Sequence, residues 1–106
     1  MTQSRPRITL DIDQGPDGKP GELCIYVNES GRMALIELLQ GLSATSDHEH
    51  LLARSWSLDD IGLDEVAYRD EARVIDAAKI LFRPDAWDEE HYPKVMNNQP
   101  PRLFEE

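Results

Sequence analysis

Cysteine occurs once in the 106 residues, at Cys24, so no disulfide can form within the chain. A chain without a disulfide suits a reducing compartment. No apolar run approaches the ~20 residues that span a bilayer. The opening stretch MTQSRPRITLDID holds two arginines and no apolar block of signal-peptide length. A cytoplasmic location is therefore the expectation. The Gly/Pro-rich stretch GPDGKPG, residues 15–21, lacks both the Walker spacing and a Lys-Ser/Thr ending, so it is not a phosphate cradle. Bases are scarce as well. Eleven lysines and arginines face 21 acids, for a net charge of −10. Phosphate would be repelled, which disfavours direct nucleic-acid binding and docking on anionic membranes.

The acids are clustered. Residues 57–71 hold Asp59, Asp60, Asp64, Glu65, Asp70 and Glu71 against Arg69 alone. Residues 84–106 hold six acids against Lys94 and Arg102. A surplus of this kind either keeps a small domain soluble or steers a basic protein partner toward it.

The length allows one small domain with one core. In residues 5–13, Ile8, Leu10 and Ile12 alternate with Thr9, Asp11 and Asp13, the repeat of a half-buried strand. Residues 22–28 alternate again, and the Gly/Pro loop between the two makes a hairpin. Cys24 and Tyr26 are also fairly apolar, which suits a central strand covered on both faces and a buried, inert thiol. From Gly31, Leu35, Ile36, Leu38, Leu39 and Leu42 recur at helical spacing. Asn28 and Ser30 are both competent to cap this helix. Gly41 either permits close contact with a sheet or marks the helix end. Residues 48–56 return to a period of two, and residues 63–68 allow a short strand. Residues 70–82 fit either a helix or a strand; KILF is β-prone and Arg83-Pro84 terminates it, which favours a strand over residues 74–82.

The resulting class is α+β: a four-stranded, mostly antiparallel sheet in the order ββαββ, one covering helix, and an irregular tail. Residues 1–83 form the domain, and residues 84–106 a proline-rich acidic tail read as extended or partly ordered, because Trp87, Tyr92 and Phe104 are unusual for pure disorder. The sheet face away from the helix must be polar, or covered by the tail or by another protein.

Candidate chemistry is thin. On a strand, His48 and His50 project to one face and suit two imidazole ligands of zinc or iron, but a third ligand would have to come from elsewhere. The alternative is a pair of strand histidines bonded to neighbours. The paired acids Asp59-Asp60 and Asp64-Glu65 lie in loops where like charges stay solvated, and acid–base catalysis needs a perturbed environment. No cofactor is implied. A tryptophan at a strand end is more often core than interface, yet aromatics beside acidic loops also anchor inhibitors. The partner-binding set is therefore Trp56, Asp59, Asp60, Asp64, Glu65, Tyr68 and Trp87.

Residues 31–52 resemble the pattern of a bacterial immunity protein family, immunity protein 32, found beside polymorphic toxins. In that pattern a glycine opens a leucine-rich helix, and a polar loop leads to a strand with His-x-His-Leu. The matching residues are Gly31, Leu35, Leu38, Leu39, Leu42, His48, His50 and Leu51. The resemblance implies a non-enzymatic antitoxin that occludes a cognate toxin domain, and it transfers no catalytic residues. The acidic loops would imitate substrate phosphates of a basic nuclease. The other classes are an acidic nucleic-acid mimic, such as a phage anti-defence protein, and a small metal-dependent enzyme using His48 and His50.

Overall fold

A computed structural model describes residues 5–56 and 61–97. The elements run β1 (Ile8–Gln14), β2 (Pro20–Val27), α1 (Glu29–Gln40), β3 (His48–Leu52), β4 (Arg73–Ile75), β5 (Ala77–Leu81), α2 (Asp85–His91) and α3 (Pro93–Met96). Among the described residues, no helix is long and apolar enough to cross a membrane.

The hairpin forms where the alternation places it. Ile8 pairs with Val27, Leu10 with Ile25 and Ile12 with Leu23. The chain reverses through Asp17 and Gly18, both at positive φ. Glycine meets that demand without steric cost, and aspartate tolerates it better than most residues. Paired residues share a face, so β1 and β2 present one apolar face and one bearing Asp11, Asp13, Tyr26 and Cys24.

The helix cap is Asn28. Its Oδ1 accepts from the Gly31 N–H at 2.7 Å and the Arg7 N–H at 3.0 Å, and its Nδ2 donates to the Arg5 carbonyl at 3.0 Å. One side chain thus closes the helix start and pins the entry to β1. Gly31 sits where a Cβ would collide with the Arg7 carbonyl. Asn28→Ala is expected to lower stability by about 1–2 kcal/mol, the upper range for a lost N-cap. Urea denaturation measures it, and Asn28→Asp, which keeps the acceptor, should lose less. Gly41 closes the helix in an ordinary right-handed conformation, so it marks the helix end.

Among the described residues, five strands form two antiparallel sheets, ordered β2-β1-β4 and β3-β5, instead of one four-stranded sheet. The cause is local. β4 pairs with β1 from Ile12–Arg73 to Leu10–Ile75. Continuing would bring it to Ile8, but Ile8 is already bridged to Leu63. The chain breaks at Asp76, whose carbonyl accepts from the Ala53 N–H at 2.8 Å, and β5 continues on β3 with Leu52 opposite Ala77. Residues 73–81 are therefore strand, interrupted once. The expected strand over 63–68 is reduced to the bridge at Leu63, which also pairs with Ala53. The strand from His48 stops at Leu52, because residues 53–56 turn, with the Trp56 N–H donating to the Ala53 carbonyl. β2 lies at the edge of its sheet rather than at its centre, and Cys24 is partly exposed.

The core gathers Ile8, Leu10, Leu51 and Leu63, with Leu35 and Leu38 of α1 packed on it and Ile61, Ile75, Ala78 and Ile80 at its margin. The helix thus covers the apolar face of β1. The tail, expected to be extended or partly ordered, holds two short helices within residues 85–96. Asp85 and Asp88 in the first turn of α2 favour a helix start electrostatically, and Trp87 packs one turn from His91, ring centroids 4.4 Å apart.

Candidate interaction surface and the carboxylate behind it

The face of β1 away from the helix is closed by residues 68 and 69. The Tyr68 ring stacks on Tyr26 at 3.9 Å between centroids, nearly parallel. Arg69 lays its guanidinium on the strand: Nη2 donates to Asp11 Oδ1 at 2.7 Å, Nε to the same oxygen at 3.2 Å, and Nη1 to Asp13 Oδ2 at 2.8 Å. Nη2 also reaches the Glu22 carbonyl at 3.1 Å. The second Asp11 oxygen accepts the backbone N–H of Tyr68 at 3.1 Å and of Arg69 at 3.4 Å. Asp11 is fully buried, yet both its oxygens are satisfied.

Burial pushes the Asp11 carboxyl upward, but the Arg69 side-chain bond and the two backbone amides outweigh it. The carboxyl is held below the usual carboxylate range. Its bond to Asp11 in turn raises Arg69 above its ordinary value. Burial pushes the Tyr26 phenol upward. This network was not anticipated from the sequence. The available signal was that Arg69 is the lone base in an acidic stretch.

The predicted partner-binding residues fall into two groups. In the first, Arg54 Nε donates to Asp64 Oδ1 at 3.1 Å and Ser55 Oγ to Glu65 Oε1 at 3.1 Å. These bonds tie the turn carrying Trp56 to the segment 61–65. Trp56 is 77% exposed at its tip, and Val66 projects as far beside Glu65. Asp64 is half-buried and neutralised by Arg54, so Glu65 is the exposed acid of the pair. Tyr68 is exposed on its outer side while its inner face covers Tyr26. Asp59 and Asp60 lie outside the described residues.

Trp87 belongs to the second group. The Arg83 guanidinium lies 4.4 Å from the Trp87 ring centre and 3.6 Å from Asp47 Oδ2. Asp47 Oδ1 is hydrogen-bonded to His48 Nδ1 at 2.9 Å, which holds the Asp47 carboxyl below its usual range. His50 meets His48 edge to face at 5.3 Å. Both imidazoles are thus engaged with each other or with Asp47, and among the described residues no three metal-ligating side chains converge.

A polar network that is satisfied on every side fixes geometry, and an exposed aromatic on a braced turn offers contact area. The arrangement suits recognition of a partner more readily than proton transfer at Asp11, which faces protein on every side. Comparison with protein-family models, with curated proteins and with solved structures finds no match for this chain.

Proposed function

We propose that this chain is a binding protein, an immunity protein that neutralises a cognate bacterial toxin by covering its active site. The observation that carries the reading is Trp56, 77% exposed on a turn braced to the acidic segment through Ser55–Glu65 and Arg54–Asp64. A large aromatic held out by a braced turn is a low-entropy anchor, and the exposed Glu65, with the negative balance of the chain, would steer a basic cleft toward it. The net charge of −10 supports the same reading.

The direct test is co-purification with the products of neighbouring genes, above all a large protein with a variable C-terminal toxin domain. Trp56→Ala is expected to weaken that complex about 30-fold or more, the scale of an interface hot spot. Glu65→Lys should chiefly slow association and flatten its salt dependence. Circular dichroism should show both variants folded. Failure to bind any neighbour-encoded protein would remove the proposal.

A further inference from the structure

We propose that the cleft between the start of β1 and residues 64–68 is a binding site for a small phosphate monoester carried on a planar ring, held by Arg5, Arg7 and the Thr9 hydroxyl. The inference does not rest on the toxin reading.

The face of β1 away from the helix is covered unevenly. The Asp64 N–H donates to the Ile8 carbonyl at 2.8 Å, and the Tyr68 N–H donates to Asp11 at 3.1 Å. Between these two attachments an open cleft of about 390 Å³ remains, with Arg5, Arg7 and Thr9 on one side and Val66, Ala67 and Tyr68 on the other. This is the size of a small-molecule site.

Its charge runs against that of the chain. Asp64 is the one acid at its rim, and Arg54 Nε donates to the Asp64 carboxylate at 3.1 Å. Arg54, Arg69 and Arg83 are each committed to a carboxylate of the chain, whereas among the described residues Arg5 and Arg7 have no ion pair. The backbone that carries them is fixed. Asn28 binds the Arg7 N–H and the Arg5 and Arg7 carbonyls, and Arg54 Nη2 donates to the Pro6 carbonyl. Two guanidinium groups thus leave a braced segment, and little backbone ordering remains to oppose binding.

The floor supplies a third donor. Thr9 is 4% exposed, and its hydroxyl makes no hydrogen bond among the described residues. No fully enclosed side-chain oxygen or nitrogen among those residues lacks a partner, so this hydroxyl still reaches the cleft. A ligand oxygen would satisfy it. Two planar forks and a hydroxyl match the three terminal oxygens of a phosphate monoester, whose charge of about −2 two guanidinium groups balance. A carboxylate offers fewer oxygens and half the charge. A chain of phosphates is excluded, because the net charge of −10 repels it beyond the cleft. The opposite wall is apolar and aromatic, with the Tyr68 ring steadied by its stack on Tyr26, and suits a planar ring.

Titration of the full chain with phenyl phosphate, followed by amide NMR shifts, tests this. Saturable shifts are expected at Arg7, Thr9, Ala67 and Tyr68. Inorganic phosphate, which lacks the ring, and benzoate, which lacks the phosphate, should each bind roughly tenfold more weakly. Arg5→Gln/Arg7→Gln changes two exposed side chains, so circular dichroism should stay intact while affinity falls about tenfold or more. Thr9→Val, similar in shape but without the hydroxyl, should lose about fivefold. Absence of saturable shifts at these amides overturns the proposal, and so does binding indifferent to the double arginine change. Benzoate bound as tightly as phenyl phosphate overturns the phosphate, and inorganic phosphate bound as tightly overturns the ring. A single-stranded oligonucleotide bound more tightly than phenyl phosphate overturns the single-phosphate ligand.

Discussion

Arg69→Ala is expected to lower the thermal midpoint by about 15 °C or more, at least as much as any other single change considered. The substitution does not merely delete a surface ion pair. It leaves Asp11 buried with one of its oxygens stripped of the guanidinium, and it leaves Asp13 and the Glu22 carbonyl without their shared donor. An uncompensated buried carboxylate is costly, whereas losing both partners together is much less so. Asp11→Asn/Arg69→Met should therefore recover a large part of the loss, and differential scanning calorimetry of the two variants checks the ordering. Equal losses in the single and double variants would refute it.

The same pair sets the acid limb. The folded Asp11 carboxyl titrates below its ordinary value, so its contribution is fully present above about pH 4 and fades as pH falls through the folded value. Wild-type stability should drop steeply below about pH 4. Asp11→Asn, although less stable at neutral pH, should show a shallower acid limb. A denaturation midpoint recorded from pH 7 downward compares the two slopes.

Leu63→Ala is expected to cost about 3 kcal/mol and about 15 °C. Leu63 is fully buried and belongs to the cluster with Ile8, Leu10 and Leu51. Its backbone bridges β1 and the end of β3, donating to the Leu52 carbonyl and accepting from the Arg54 N–H. Those backbone bonds survive the substitution, so the loss measures the cavity left between the two sheets. Leu63→Met, which conserves volume, should cost less than about 1.5 kcal/mol. Leu39→Ala, half-exposed on α1, should cost less than either. A Leu63→Ala loss no greater than that of Leu39→Ala would move the core elsewhere.

The hairpin, the helix and the strand character of residues 73–81 were legible because each is a local period in apolar residues. Asn28 as cap was one of two options that spacing alone leaves equal; the bonds to Arg5 and Arg7 decide it, and these come from the hairpin's far strand. The division into two sheets was not legible. It turns on Leu63 occupying the edge of β1 at Ile8, a contact between segments far apart in the chain. The placement of β2 was misread for a related reason. Cys24 and Tyr26 look like a second buried face, but Tyr26 is covered by a tyrosine from residue 68 rather than by a strand. The helices within residues 85–96 were hidden by prolines, which also sit comfortably at helix starts, as Pro93 does. Of the partner-binding set, Glu65 and Tyr68 stand exposed, and so does Trp56, whose place at a strand end favoured the core but whose segment turns away from the strand at Ala53; Asp64 is engaged by Arg54, and Trp87 carries Arg83 over its ring.

Arg69 meets Asp11 across a separation of 58 residues. Joining two points so far apart costs chain entropy before any contact compensates for it, so the ion pair gains little until the elements that carry its ends are in place. The hairpin and α1, built from neighbours, have no such delay. The latch is thus expected to snap shut after the rate-limiting step. Its removal should then quicken escape from the folded state while leaving the rate of reaching that state nearly untouched.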